Sequence, residues 1–142
     1  MNIIKSFENA FKRAEEKNWD YIYILVDIHG TIFKPSYYNK EKYEFYPYAQ
    51  LVLQLFSSID NIKLILWSSS YEKDIEKYNK KLKENFINFN YINENPEVEN
   101  TDIQYFDKKL YFNVGLDDKF GFDPETDWKE LWIYLINKNC EI

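Results

Sequence analysis

Six consecutive apolar or aromatic residues, Tyr21-Ile-Tyr-Ile-Leu-Val26, run without a polar break into Asp27. A strand with one wet face alternates in polarity. A run that does not alternate is buried on both faces, as in parallel sheets covered above and below. Ile62-Lys-Leu-Ile-Leu-Trp67 reads the same way, with Trp67 as sheet core. Between the two, Pro47 opens a helical pattern of Ala49, Leu51, Val52, Leu55 and Phe56, its fixed φ suiting a first helical turn. The unit is strand, helix, strand, with the first run as the central strand.

The rest of the chain repeats that alternation. Ile4, Phe7, Phe11 and Ala14 recur at helical spacing between Ile3 and Lys17. Ser69 followed by Glu72 has the form of a capping box, opening a helix to about Phe86 with Ile75, Tyr78 and Leu82 on one face. Phe89–Ile92 is a short third strand, and Leu110–Leu116 a fourth that runs into Asp117-Asp118. Asp127–Asn137 is a last helix burying Trp128, Leu131, Trp132, Leu135 and Ile136. The expected fold is a three-layer α/β/α, Rossmann-like arrangement with a mostly parallel central sheet and right-handed crossovers. At 142 residues the chain has the size of one domain, residues 1–142.

Composition removes several classes. With 24 acidic against 18 basic residues, the net charge of −6 repels polyanions, which argues against an extended nucleic-acid surface or an anionic membrane. No apolar run approaches the ~20 residues that span a bilayer. The single cysteine, Cys140, makes no internal disulfide, so a reducing, cytoplasmic setting is expected. There is no P-loop and no G-x-G-x-x-G pattern, and one histidine excludes Ser-His-Asp chemistry except around His29 itself.

Ligands of open parallel sheets bind outside the carboxyl ends of the strands. Those ends carry Asp27-Ile-His29-Gly30-Thr31, then Ser68-Ser69-Ser70, then Asp117-Asp118 with Asp123 beyond. In "YIYILVDIHGTI" (Tyr21–Ile32), "KLILWSS" (Lys63–Ser69) and "NVGLDDKFGFD" (Asn113–Asp123), the chain resembles the haloacid dehalogenase superfamily of phosphatases and phosphotransferases. That family has D-x-D-x-T after its first strand, Ser or Thr after a second, and an acidic pair after a later one. The resemblance covers most of the chain, from Tyr21 to Asp123.

The resemblance implies a phosphomonoester hydrolase in which Asp27 is the nucleophile and forms an aspartyl phosphate. It implies Mg²⁺ held by Asp27, Asp117 and Asp118 with the backbone carbonyl of His29. Phosphate contacts fall to Ser68 and Ser69, while the Thr31 hydroxyl orients the loop carboxylate and Gly30 lets the chain leave the strand sharply. Ser69 also reads as a helix cap, and Asp117, Asp118 and Asp123 as loop and cap residues.

Two departures matter. His29 stands where the family's phosphatases usually have a second Asp. An imidazole of reference pKa about 6.5 is competent as acid and base, or else it marks a catalytically impaired domain that binds a phosphorylated ligand or protein partner. The family's lysine near the phosphate has no obvious counterpart. If Leu110–Phe112 is strand, Lys108 and Lys109 sit at its far end, with Lys109 roughly 26 Å from Asp117 at about 3.3 Å per residue. Lys119 is the substitute on the correct edge.

The insertions Ile32–Tyr46 and Asn93–Asp107, at 15 residues each, are too short for a cap domain. The site must stay open or borrow the surface of an oligomer partner. The expected substrate is a phosphorylated small molecule or the terminal phosphate of a larger one. The aromatics of the Tyr37–Tyr46 flap either stack on its base or sugar or pack on their own domain.

Overall fold

The computed structural model describes residues 2–35, 43–100 and 110–138. Tyr37, Tyr38, Lys108, Lys109 and Cys140 lie outside them. The strands Ile22–Asp27 (β1), Ile62–Trp67 (β2), Tyr91–Ile92 (β3) and Val114–Leu116 (β4) are all parallel, in the spatial order β3-β2-β1-β4. Among the described residues the helices are Ile3–Lys17 (α1), Ala49–Ser58 (α2), Glu72–Glu84 (α3) and Asp127–Asn137 (α4), with a 3₁₀ turn at Asp118–Phe120. This is the expected Rossmann-like α/β fold, with β1 in the interior of the sheet.

The unbroken apolar runs are explained by burial on both faces. Ile22, Ile24 and Val26 of β1, Ile62, Leu64 and Leu66 of β2, and Val114 and Leu116 of β4 share one core with the buried residues of all four helices. Phe7 of α1 stacks on Phe56 of α2 at 5.5 Å within it. Tyr23, Leu25 and Ile65 point the other way, against Val98, Leu110, Tyr111 and Phe112. Among the described residues the three layers are therefore helices, sheet, and the β3–β4 connection.

Several local expectations need correction. Leu110–Phe112 is not strand, because the Asn113 side chain accepts the Tyr23 N–H (2.7 Å) that a backbone carbonyl would otherwise take, so β4 begins only at Val114. The argument that strand length carries Lys108 and Lys109 away from the site loses its basis. The Ser69–Glu72 capping box does not form: the N-cap is Tyr71, without a side-chain cap bond. Pro47 sits in a turn rather than a helix, and Tyr48, at φ 68°, precedes the first residue of α2.

Finally, Trp67 is not core; it is 38% exposed at the last position of β2. Leu51 and Ile136 are exposed as well: each points away from the face its helix turns to the core, formed by Ala49, Val52, Leu53 and Phe56 in α2 and by Trp128, Leu131 and Leu135 in α4.

Candidate active site

β1, β2 and β4 deliver their carboxyl ends to one edge of the sheet. There, one oxygen from each of Asp27, Asp117 and Asp118 lies within 4.8 Å of the others. Asp117 is only 4% exposed. Burial, then the charges of Asp117 and Asp118, push the Asp27 carboxyl up to about 6, against the opposing Ile28 amide and Lys119. Burial likewise raises Asp117, with Asp118 adding to it and the Lys119 amide opposing. A bound cation would offset the charge crowded onto these carboxylates. Three oxygen donors from two strand ends, one buried and one open to solvent, suit a hard divalent ion that keeps part of its water.

The loop after β1 is shaped around this cluster. Gly30 has φ 73°, and a Cβ there would stand 3.2 Å from Asp118 Oδ2, so glycine lets the loop pass beside that carboxylate. Thr31 is fully buried; its hydroxyl accepts the Asp118 N–H (3.3 Å) and its carbonyl accepts the Trp128 indole N–H (2.8 Å). Thr31 thus joins β1, the acidic turn and α4. Asp117 accepts the Lys119 N–H (2.9 Å) and so caps the 3₁₀ turn. Lys119 is exposed, yet its charge is felt at both Asp27 and Asp117. Asp123 stands outside the cluster: it accepts the Glu125 N–H (3.0 Å) and helps to start α4.

The β2 side is built from hydroxyls. Ser68 Oγ accepts the Ser70 N–H (3.1 Å), which leaves its own proton available to a ligand. The Asn93 side chain clamps Ser68 from both sides, accepting its N–H (2.8 Å) and donating to its carbonyl (2.9 Å). Ser69 is exposed and does not cap α3. His29 Nε2 lies 3.3 Å from Ser70 Oγ, with its ring edge-on to Tyr78 at 5.0 Å. Desolvation lowers its proton affinity and Asp74 opposes this, so neutral imidazole dominates at pH 7.

Tyr43 and Phe45, at the returning end of the first insertion, pack with Phe33 and Tyr78 rather than standing free.

The structure therefore brings Asp27, Asp117 and Asp118 together, holds Thr31 against them and places Ser68 just past the end of the adjoining strand. Sequence reading placed Ser70 at a strand end, Tyr78 on a helix face and Trp128 in the core without giving them a part in the site, and it missed Asn93. Asn93 left a trace: an Asn just after a strand, here at φ 55°, is a residue type that tolerates the left-handed region.

No protein-family model matches the chain, and no curated protein matches it. Among solved structures it is similar to the conserved protein coded by a locus from Bacteroides thetaiotaomicron. The two are 26% identical, with 86% of this chain and 93% of that one covered, at a TM-score of 0.62. Fold and edge chemistry together define a Rossmann-like α/β protein with a three-carboxylate cluster at the carboxyl end of its sheet.

Proposed function

We propose that the protein is a Mg²⁺-dependent phosphomonoester hydrolase of the haloacid dehalogenase type, acting through an aspartyl phosphate on Asp27. The observation that carries this reading is the convergence of Asp27, Asp117 and Asp118 at the end of an interior parallel strand. With a pKa of about 6, Asp27 is mostly ionised at pH 7 and nucleophilic. Its carboxylate oxygen bonds to phosphorus as the ester oxygen leaves and takes up a proton. Water then attacks the phosphoaspartate, loses a proton, and frees phosphate and Asp27.

Mg²⁺ held by Asp27, Asp117, Asp118 and the His29 carbonyl would offset charge on the phosphoryl oxygens. Ser68 donates its free hydroxyl proton to a phosphoryl oxygen, and Lys119 adds positive charge. Neutral His29 is better placed to take a proton from water than to give one to the leaving group. The substrate is a phosphorylated small molecule or an exposed terminal phosphate, handled in the cytoplasm, with no extended nucleic-acid or membrane surface involved. Among the described residues no helix is long and apolar enough to cross a membrane.

One observation favours a second reading, a phosphate-binding domain without turnover: His29 is engaged by Ser70 and Tyr78. Hydrolysis of a generic aryl phosphate with Mg²⁺ separates the two. Turnover is expected, abolished by EDTA and by Asp27→Asn, and lowered about 10²–10⁴-fold by His29→Asn. Activity that survives Asp27→Asn removes the nucleophile assignment, and wild-type behaviour of His29→Asn removes the acid-base role.

A further inference from the structure

Trp67 pairs in register with Asp27 across β1 and β2. Residues paired this way point to the same face, on strands about 4.8 Å apart. That face is the one on which Tyr23, Leu25 and Ile65 lie, away from the helices. Ile65 is fully buried, whereas two residues later Trp67, beside Asp27 in the register, is 38% exposed.

A second ring stands on the other flank. Phe120, in the 3₁₀ turn after β4, is 48% exposed and stacks on Phe112 at 6.3 Å. Its ring approaches within 2.8 Å of the point where a Cβ on Gly115 would sit, and Gly115 pairs with Leu25. Phe120 therefore covers the same sheet face as Trp67. Since β1 runs between β2 and β4, Asp27 lies between two part-exposed aromatic side chains.

From this juxtaposition we infer that Trp67 is a specificity residue: it stacks on a planar aromatic ring carried by the phosphomonoester that reacts at Asp27. The inference rests on the hydrolase reading above and adds the class of leaving group. Indole offers a large, rigid stacking surface that loses little entropy on binding, and stacking tolerates any π-face. A single ring attached close to its phosphate also suits a chain of net charge −6, which disfavours a long polyanion. The ring is either a simple aryl group or the base of a nucleoside monophosphate.

The test uses the full chain carrying Asp27→Asn, with Mg²⁺ present, and isothermal calorimetry with adenosine 5′-monophosphate, phenyl phosphate and ribose 5-phosphate. At least one ring-bearing ester is expected to bind about 10-fold tighter than ribose 5-phosphate; which of the two does so distinguishes a nucleoside from an aryl group. Adding Trp67→Leu is expected to bring the three within about 2-fold while leaving ribose 5-phosphate affinity unchanged. Adding Trp67→Phe instead is expected to keep the preference. Equal affinities in the parent, no binding of any ester, or a preference that survives Trp67→Leu overturns the inference. Hydrolysis by the wild-type chain is measured separately. Ring preference without turnover fails the hydrolase reading alone, and turnover without ring preference fails this inference alone.

Discussion

The two faces of the sheet are held by different physics. Facing the helices, Ile22, Ile24, Val26, Leu64 and Leu66 share one core cluster with buried aliphatic and aromatic side chains of all four helices. Facing away, the β3–β4 connection is fastened by polar groups. Glu97 accepts hydrogen bonds from the hydroxyls of Tyr23 (3.2 Å) and Tyr91 and pairs with Lys63 at 3.7 Å. Asn95 donates to the Tyr111 carbonyl (2.9 Å). A helix satisfies its own backbone and can offer hydrocarbon alone, whereas an irregular segment must have its peptide groups satisfied from outside. Tyrosine serves this second face well, since each ring buries apolar surface and still reaches a partner with its hydroxyl.

Removing packing on the helical face should hurt most. Phe56→Ala, at a fully buried site stacked on Phe7, is expected to cost about 3–5 kcal/mol, read as a fall in the urea midpoint. On the other face, overpacking is the weakness. Gly115→Ala places a methyl group 2.8 Å from Phe120 and is expected to cost about 1–3 kcal/mol. A stability unchanged by this variant would show that Phe120 swings away freely.

At the rim where the faces meet the solvent, the sign reverses. The Asp27 carboxyl is raised from 3.8 to about 6, so its proton stabilises the fold. That contribution is complete below about pH 4 and is lost as pH rises through about 6. Asp27→Asn should therefore stabilise the metal-free protein at pH 7 by roughly 1–2 kcal/mol after solvent screening, and flatten the pH dependence of its melting between 4 and 6. Destabilisation by this variant would mean that the carboxylate is held by more than its crowded neighbours.

The smallest effect belongs to the polar fastening. Glu97→Gln is expected to cost about 1 kcal/mol: Tyr23 and Tyr91 donate to different oxygens of the carboxylate, so the amide oxygen keeps one donor while the other hydroxyl must turn to accept from the amide NH2. The clearer signature is alkaline. The hydrogen bond to Glu97, then burial, pushes the Tyr91 phenol up to about 12, so the stability it contributes is present below pH 10 and lost as pH rises through about 12. A spectrophotometric titration of the Glu97→Gln variant should find that phenol titrating earlier.

The helical face is also the legible one. α1, β2 and α4 coincide with Ile3–Lys17, Ile62–Trp67 and Asp127–Asn137 as read from periodicity, because periodicity records which side chains meet a core. The carboxylates were legible because parallel strand ends converge by topology. What escaped depended on side chains acting for the backbone. Asn113 replaces a ladder carbonyl and shortens β4, and Ser68 binds the Ser70 amide where a helix cap seemed due. The partners of Ser68, His29 and Thr31 escaped for a further reason. Asn93, Ser70 and Trp128 lie 25, 41 and 97 residues away in sequence, beyond any local pattern.

That last separation has a consequence in time. A ribosome working at about 5–20 residues per second releases Asp27 and its loop long before it reaches Trp128. With 97 residues between Thr31 and the indole that fixes its carbonyl, the nascent chain carries its nucleophile for roughly 5–20 s before the last helix can fasten the loop. The order of synthesis thus makes the reactive carboxylate the first part of the site to emerge and the last to be fixed in place. A chain interrupted before α4 holds the acidic residues without the clasp that sets their spacing.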